Sequence, residues 1–100
     1  MSTEMNPCHP MSDPVDLKNM GKLVEESGEL ASAGARCIIQ GIDECEPVTG
    51  KKNREWVEDE IADVIANIKL VIERFSLNEE RILSRAEHKE ASLRTWHDMA

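Results

Sequence analysis

Paired carboxylates are the residues of this chain whose types and spacing could do chemistry. Glu26 and Glu29 form one pair within the run EESGE (25–29), and Glu60 and Asp63 form a second. On a helix, residues three apart are neighbours, and two like charges placed there repel each other. Two pairs of hard oxygen ligands on facing helices suit Mg²⁺ or Mn²⁺. The spacing therefore predicts a divalent-metal site built from these four carboxylates.

The flank of the second pair carries further groups that suit a nucleotide. At roughly 100° per residue, Trp56, Asn67 and Arg74 lie on the helix face that holds Glu60 and Asp63. An indole, an amide and a guanidinium beside two acids are typical of a site for a base, a metal and phosphates. A single ExxE is usually a solvated face. The prediction therefore depends on the two pairs together with these neighbours.

Three helices are expected to position these groups, and their starts are marked by the N-capping residues Asp13, Asn53 and Asn78. The first helix is predicted from Pro14 to about Gln40, before a stop at Gly41. The second runs to about Phe75. The segment between them, 41–53, is predicted to be a linker. Strand-like alternation is absent from the sequence, which predicts an all-α fold.

Each helix carries an apolar stripe. The main apolar face of the first helix is predicted to comprise Leu17, Met20, Val24, Ala31 and Ile38. Glu26 and Glu29 lie opposite it, beside a second possible packing edge at Leu23 and Leu30. The second helix has the stronger stripe, made of Val57, Ile61, Val64, Ile68, Val71, Ile72 and Phe75. The small-residue run 31–35 allows either close helix packing or a break in the helix.

Composition limits the classes of partner. The chain has 100 residues with 20 acidic and 12 basic side chains, a net charge of −8. DNA, RNA and anionic membranes require clustered Lys and Arg, so they are unlikely partners. No stretch of about 18 apolar residues predicts a membrane span. Three cysteines without a CxxC pair indicate a reduced, cytoplasmic protein. Residues 1–12 are predicted to be a mobile arm and 13–100 a single helical domain.

Three segments resemble a known family. KLVEESGELA (22–31) and DEIADVIANI (59–68) resemble the two signature helices of the MazG-like all-α nucleoside triphosphate pyrophosphohydrolases. LNEERILSRAEHKEASLRTW (77–96) resembles the C-terminal helix of that family. The resemblance covers residues 17–96, with a connection between the two motifs that is on the long side for the family.

That resemblance implies both an architecture and an activity. The architecture is a helical hairpin plus a C-terminal helix, which form a four-helix bundle across the interface of a homodimer or homotetramer. The activity is Mg²⁺-dependent hydrolysis of nucleoside triphosphates to the monophosphate and pyrophosphate, with a role in house-cleaning of the nucleotide pool.

The resemblance also assigns roles by position. The metal ligands are Glu26, Glu29, Glu60 and Asp63, and either Glu25 or a ligating Glu such as Glu26 orients the attacking water. For the substrate, Trp56 is the candidate to stack on the base and Asn67 the candidate to hydrogen-bond to sugar or base. The candidates to contact the phosphates are the cations Lys22, Lys89 and Arg94. Each also has an ordinary structural role open to it, as a packing aromatic, a buried amide or surface cations.

Single residues argue against two related functions. Di-iron carboxylate bundles use Glu-x-x-His. Here the residues three positions after Glu26 and Glu60 are Glu29 and Asp63, so no imidazole is available for iron. Phosphoribosyl-ATP pyrophosphatases typically carry Tyr-His soon after the aspartate, where this chain has the run VIAN (64–67). A non-enzymatic acidic dimerisation or adaptor module remains the alternative from a different class, and a relative of the phosphoribosyl-ATP enzymes remains a weaker one.

Overall fold

The computed structural model describes residues 7–100, which form three α-helices: α1 (Pro14–Gln40), α2 (Asn53–Arg74) and α3 (Glu79–Trp96). In this part of the chain the β-structure is limited to one isolated antiparallel bridge, between Cys45 and Lys52. The all-α prediction is confirmed. Of the predicted arm, residues 1–6 lie outside the described range, and 7–12 are exposed and have no regular secondary structure.

The predicted caps of α1 and α3 are confirmed. The Asp13 carboxylate accepts hydrogen bonds from the backbone N–H groups of Val15 and Asp16, at 2.8 and 3.0 Å. Gly41 ends α1 with a φ of 108°, which favours glycine, and its N–H donates to the Cys37 carbonyl. The Asn78 side chain caps α3 by accepting from Arg81 N at 2.9 Å.

Asn53 has a different role from the predicted one. Lys52 is the N-cap residue of α2 and makes no side-chain cap, while Asn53 is the first helical residue and is fully buried. Its Nδ2 donates to the Gly41 carbonyl at 3.0 Å and to Gln40 Oε1 at 3.2 Å. The prediction of a cap is wrong because the amide finds partners across the fold, where it joins the start of α2 to the end of α1.

Helices α1 and α2 pack against each other as an antiparallel hairpin. Asn53 joins the helices at the linker end. At the other end the Arg74 guanidinium donates to Asp16 at 2.7 Å and to Asp13 at 3.2 Å. Between these ends, the buried apolar residues are Ala33 and Val71. Helix α1 is continuous through its small-residue run, and Ala33 packs inward there, so the run serves packing and is not a break.

The face of α1 that packs on α2 is not the predicted main apolar face. Leu17, Val24 and Ile38 are 50%, 67% and 88% exposed, whereas Leu23 and Leu30 are half-buried. The apolar residues of α1 are divided between two faces, and the second packing edge that the sequence offers, at Leu23 and Leu30, is the one on the α2 side. The hairpin uses the face that also carries Glu26, and this choice turns the two acid pairs towards each other.

Helix α3 contributes little to the core, since none of its residues is buried. The radius of gyration is 17.9 Å, compared with about 13 Å for a compact domain of this length. Among the described helices, none combines the length and the apolar character needed to cross a membrane.

Candidate functional site

The packing of α1 on α2 brings the predicted carboxylates together. Glu26 from α1 and Glu60 and Asp63 from α2 each have a carboxylate oxygen within 4.8 Å of the other two. Glu26 also belongs to a second group of the same dimensions, with Glu25 and Glu29. The two groups share Glu26, so the five carboxylates form one continuous acidic cluster.

Two carboxylates of this cluster are partly removed from water. Glu60 is 8% exposed, and the Glu26 side chain is 14% exposed. Burial, followed by the neighbouring charge of Glu29, raises the pKa of both carboxyl groups. Each has one buried oxygen, Oε2, that lacks a hydrogen-bond partner among the described residues.

Unpartnered buried carboxylate oxygens are costly to a protein unless something compensates for them. A hard divalent cation that takes oxygen ligands would satisfy them and remove the mutual repulsion. The donor set formed by Glu26, Glu29, Glu60 and Asp63 therefore fits Mg²⁺ or Mn²⁺. The same set contains no nitrogen or sulfur ligand that would favour zinc.

A cleft of about 460 Å³ opens beside the cluster. Its acidic side is formed by Glu25, Glu29 and Glu60, and small residues of α1 (Gly28, Ser32 and Ala33) leave room above the helix. Trp56 and Arg36 complete the lining. The cleft thus places carboxylates, an indole and a guanidinium next to one another, on residues supplied by α1 and α2.

Trp56 lies where the sequence predicts, one helical turn before Glu60, and is half-buried. Two cations approach its ring, with Lys51 Nζ at 4.3 Å and Arg36 Cζ at 5.7 Å from the ring centroid. Both distances are in the range of cation–π attraction. The indole Nε1 is buried and has no hydrogen-bond partner among residues 7–100.

Lys22 and Asn67 share a smaller cavity of about 280 Å³. Lys22 Nζ donates to Glu25 Oε2 at 3.3 Å and lies 3.9 Å from Glu26 Oε1, and the bond to Glu25 raises the pKa of Lys22. Asn67 Nδ2 donates to the Asp63 carbonyl in its own helix at 2.8 Å. Lys22 thus contacts the acidic cluster directly. Asn67 is linked to it by the hydrogen bond to the backbone carbonyl of Asp63.

The two predicted cations of α3 do not line this cleft within one chain. Arg94 donates to Glu90 through Nε and Nη2, at 3.1 and 2.9 Å, and both side chains are well exposed. Lys89 is exposed on the same helix. The structure therefore does not bring Lys89 or Arg94 to the carboxylates of their own chain.

Arg36 is the residue of the cleft that sequence reasoning missed. It lies seven residues after Glu29, which is two helical turns along the same flank of α1. That spacing is visible in the sequence. Its significance depends on the neighbouring helix, because the approach of Trp56 is what defines the cleft wall.

Comparison of the chain with protein-family models, with curated proteins and with solved structures finds no match. A functional assignment must therefore come from the residues and geometry of the site.

Proposed function

We propose that this chain is a Mg²⁺-dependent nucleoside triphosphate pyrophosphohydrolase that yields the monophosphate and pyrophosphate. The observation that carries the proposal is the convergence of Glu26, Glu29, Glu60 and Asp63 from two helices, where two buried carboxylate oxygens lack a hydrogen-bond partner within residues 7–100. These residues would hold Mg²⁺, with Mn²⁺ as a substitute, and the ion would neutralise the negative charge of the phosphates.

The chain's own groups would handle the attacking water and its proton. Glu25 is exposed, lines the cleft and is held by Lys22, so its carboxylate is available to orient a water and accept its proton. A ligating carboxylate such as Glu26 is the other candidate for this role. Water oxygen bonds to the α-phosphorus, the bond from that phosphorus to the bridging oxygen breaks, and pyrophosphate leaves with the bond's electron pair.

The remaining residues would bind the nucleoside. Trp56 lines the cleft next to Glu60, which suits contact with a base. Asn67 has an amide oxygen that its bond to the Asp63 carbonyl leaves available for sugar or base. Lys22 would lie at the phosphate side because it already borders the acidic cluster.

Self-association is part of the proposal. The outward face of α1 exposes Leu17, Val24 and Ile38, and burying it against a second copy would give the four-helix bundle of a homodimer or homotetramer. Lys89 and Arg94 would contribute to phosphate binding only if assembly brings α3 to a cleft. A cytoplasmic role in nucleotide-pool house-cleaning accords with three free cysteines in the described residues.

Incubation of the purified protein with a panel of nucleoside and deoxynucleoside triphosphates and Mg²⁺ tests the activity. We expect equal amounts of monophosphate and pyrophosphate, and no turnover in chelator. Glu60→Gln should abolish turnover, whereas the matched control Glu58→Gln, an exposed residue of the same helix, should retain it. Release of orthophosphate with diphosphate would contradict cleavage at the α–β bond. No turnover of any triphosphate would favour the non-enzymatic dimerisation or adaptor module.

A further inference from the structure

Arg36 is a cleft residue whose charge has no partner within the described chain. It is half-buried on α1, and its Nη1 is buried without a hydrogen-bond partner among residues 7–100. None of the ion pairs in this range involves Arg36. A buried donor without a partner is unfavourable, and an anionic ligand would supply what the fold does not.

The neighbouring cations differ from Arg36 in this respect. Lys22 pairs with Glu25, and Lys51 pairs with Asp59. Glu46 accepts hydrogen bonds from the backbone N–H groups of Val48 and Thr49 and from the Thr49 hydroxyl. These bonds lower its pKa more than the charge of Arg36 does. Arg36 therefore lines the cleft as a cation that forms no ion pair with the residues that the structure describes.

The chemistry of the guanidinium suits a phosphate. Contact with the Trp56 ring engages the guanidinium as a cation, while its N–H groups lie in its own plane and bind phosphate oxygens in pairs. The rest of the cleft is acidic through Glu25, Glu29 and Glu60. A divalent cation at the carboxylates and the fixed cation of Arg36 in the same lining would both favour a phosphate-bearing ligand in this cleft.

We infer that Arg36 binds the phosphate chain of the ligand and that Trp56 is the positioning residue that holds its guanidinium in the cleft. This inference rests on the proposed function, because that function makes the ligand a metal-bound triphosphate. It adds a phosphate-binding residue on α1, on the far side of the acids from Lys22. The planar guanidinium of Arg36 can donate two parallel hydrogen bonds to one oxyanion, whereas a lysine ammonium acts as a point charge.

Inorganic tripolyphosphate with Mg²⁺ is the probe, since it carries the phosphates without a nucleoside. Isothermal titration calorimetry of the intact protein should show that Arg36→Gln weakens binding about 10- to 100-fold, the loss expected for a charge-assisted hydrogen bond. Arg54→Gln removes the same charge from an exposed residue that pairs with Asp43 and should leave affinity within about twofold. Arg36→Lys keeps the positive charge but cannot donate two parallel hydrogen bonds, so its loss of affinity should be intermediate.

Two further measurements keep the test decisive. Thermal unfolding identifies any variant that fails to fold, and Arg36→Lys then provides the comparison. In a Trp96→Phe background Trp56 is the single tryptophan, so tripolyphosphate should change its fluorescence. Equal affinity of wild type and Arg36→Gln, or absence of tripolyphosphate binding to the wild type, would overturn the inference. Arg36-dependent binding without pyrophosphate release would instead overturn only the proposed function, and turnover independent of Arg36 would overturn only the inference.

Discussion

Glu60 combines deep burial with negative neighbours, and a residue of that kind is expected to weaken the fold that contains it. The residue is 8% exposed, and burial, followed by the charges of Glu29 and Asp63, raises the pKa of its carboxyl group. Asp59, one residue earlier, pairs with Lys51. The arrangement is understandable if the acids serve a ligand at the expense of stability.

Replacing Glu60 by Gln should therefore stabilise the metal-free protein. Loss of a like-charge contact predicts a gain of at least roughly 0.2–0.5 kcal/mol in the free energy of unfolding, measured by urea denaturation in chelator. Wild type should gain about 2.7 kcal/mol when Mg²⁺ exceeds its Kd a hundredfold, and the Gln variant should gain much less. Glu58→Gln serves as the control. Equal Mg²⁺ stabilisation of wild type and Glu60→Gln would contradict a metal ligand at this position.

At the scale of the helices, the sequence was most informative about ends and least about faces. Asp13, Gly41 and Asn78 act through short-range hydrogen bonds and backbone conformation, so their roles were predictable from neighbouring residues. Asn53 could not be placed in this way, because its partners Gln40 and Gly41 lie on another segment.

The same distinction explains the site. The i, i+3 spacing of the acids was sufficient to predict two carboxylate pairs, since a helix fixes that geometry locally. Helix α1 has two apolar edges, one that includes Leu17 and Ile38 and one formed by Leu23 and Leu30. The sequence does not decide which of them meets α2. Arg36 was missed for this reason, since its relation to Trp56 exists only once the helices pack.

The start of α1 should respond to pH through Asp13. Hydrogen bonds from the backbone of Asp16 and Val15, together with the charge of Arg74, lower the pKa of this carboxyl group. A carboxyl whose pKa is lower in the folded state contributes stability above its unfolded pKa and loses that contribution as pH falls through the folded pKa. Asp13→Ala should therefore destabilise the protein at pH 7 and differ little from wild type once pH is below both values.

Asn provides the matched control at this position. Asp13→Asn retains a capping oxygen but not the charge beside Arg74, so its stability at pH 7 should lie between wild type and Asp13→Ala. Urea denaturation at a series of pH values from 7 to 2 measures all three proteins. A difference between wild type and Asp13→Ala that stays constant with pH would show that the ionised carboxylate is not the stabilising group.

The whole molecule has a small apolar core and many exposed apolar side chains. Between residues 7 and 100 only Ala33 and Val71 are buried apolar residues, and the described chain measures 56 Å along its longest axis. A short chain with so small a core generally needs a partner to be stable. The acid cluster and cleft, in contrast, are assembled within one chain.

Sedimentation velocity at micromolar concentration should therefore show a dimer or tetramer. Val24→Glu introduces a charge on the outward face of α1, where Val24 is 67% exposed in the isolated chain, and should shift the distribution towards monomer and lower the melting temperature. His9→Glu, in the exposed non-helical segment before α1, adds the same charge change as a control. A wild-type monomer at this concentration would contradict the proposed assembly.

Hydrogen bonds join the two helices of the hairpin at both ends, whereas like-charged carboxylates lie close together between those ends. Asn53 joins the helices at the linker and Arg74 joins them at the opposite end. Between them, burial and the negative charges of Glu29 and Asp63 raise the pKa of both Glu26 and Glu60. In the metal-free chain, amide hydrogens near the acids should therefore exchange with solvent faster than those near Asn53 or Arg74. Helices usually show the opposite pattern, because their ends open more readily than their centres. An ion that bridges the acids would reverse this gradient and make the centre of the hairpin its slowest-exchanging part.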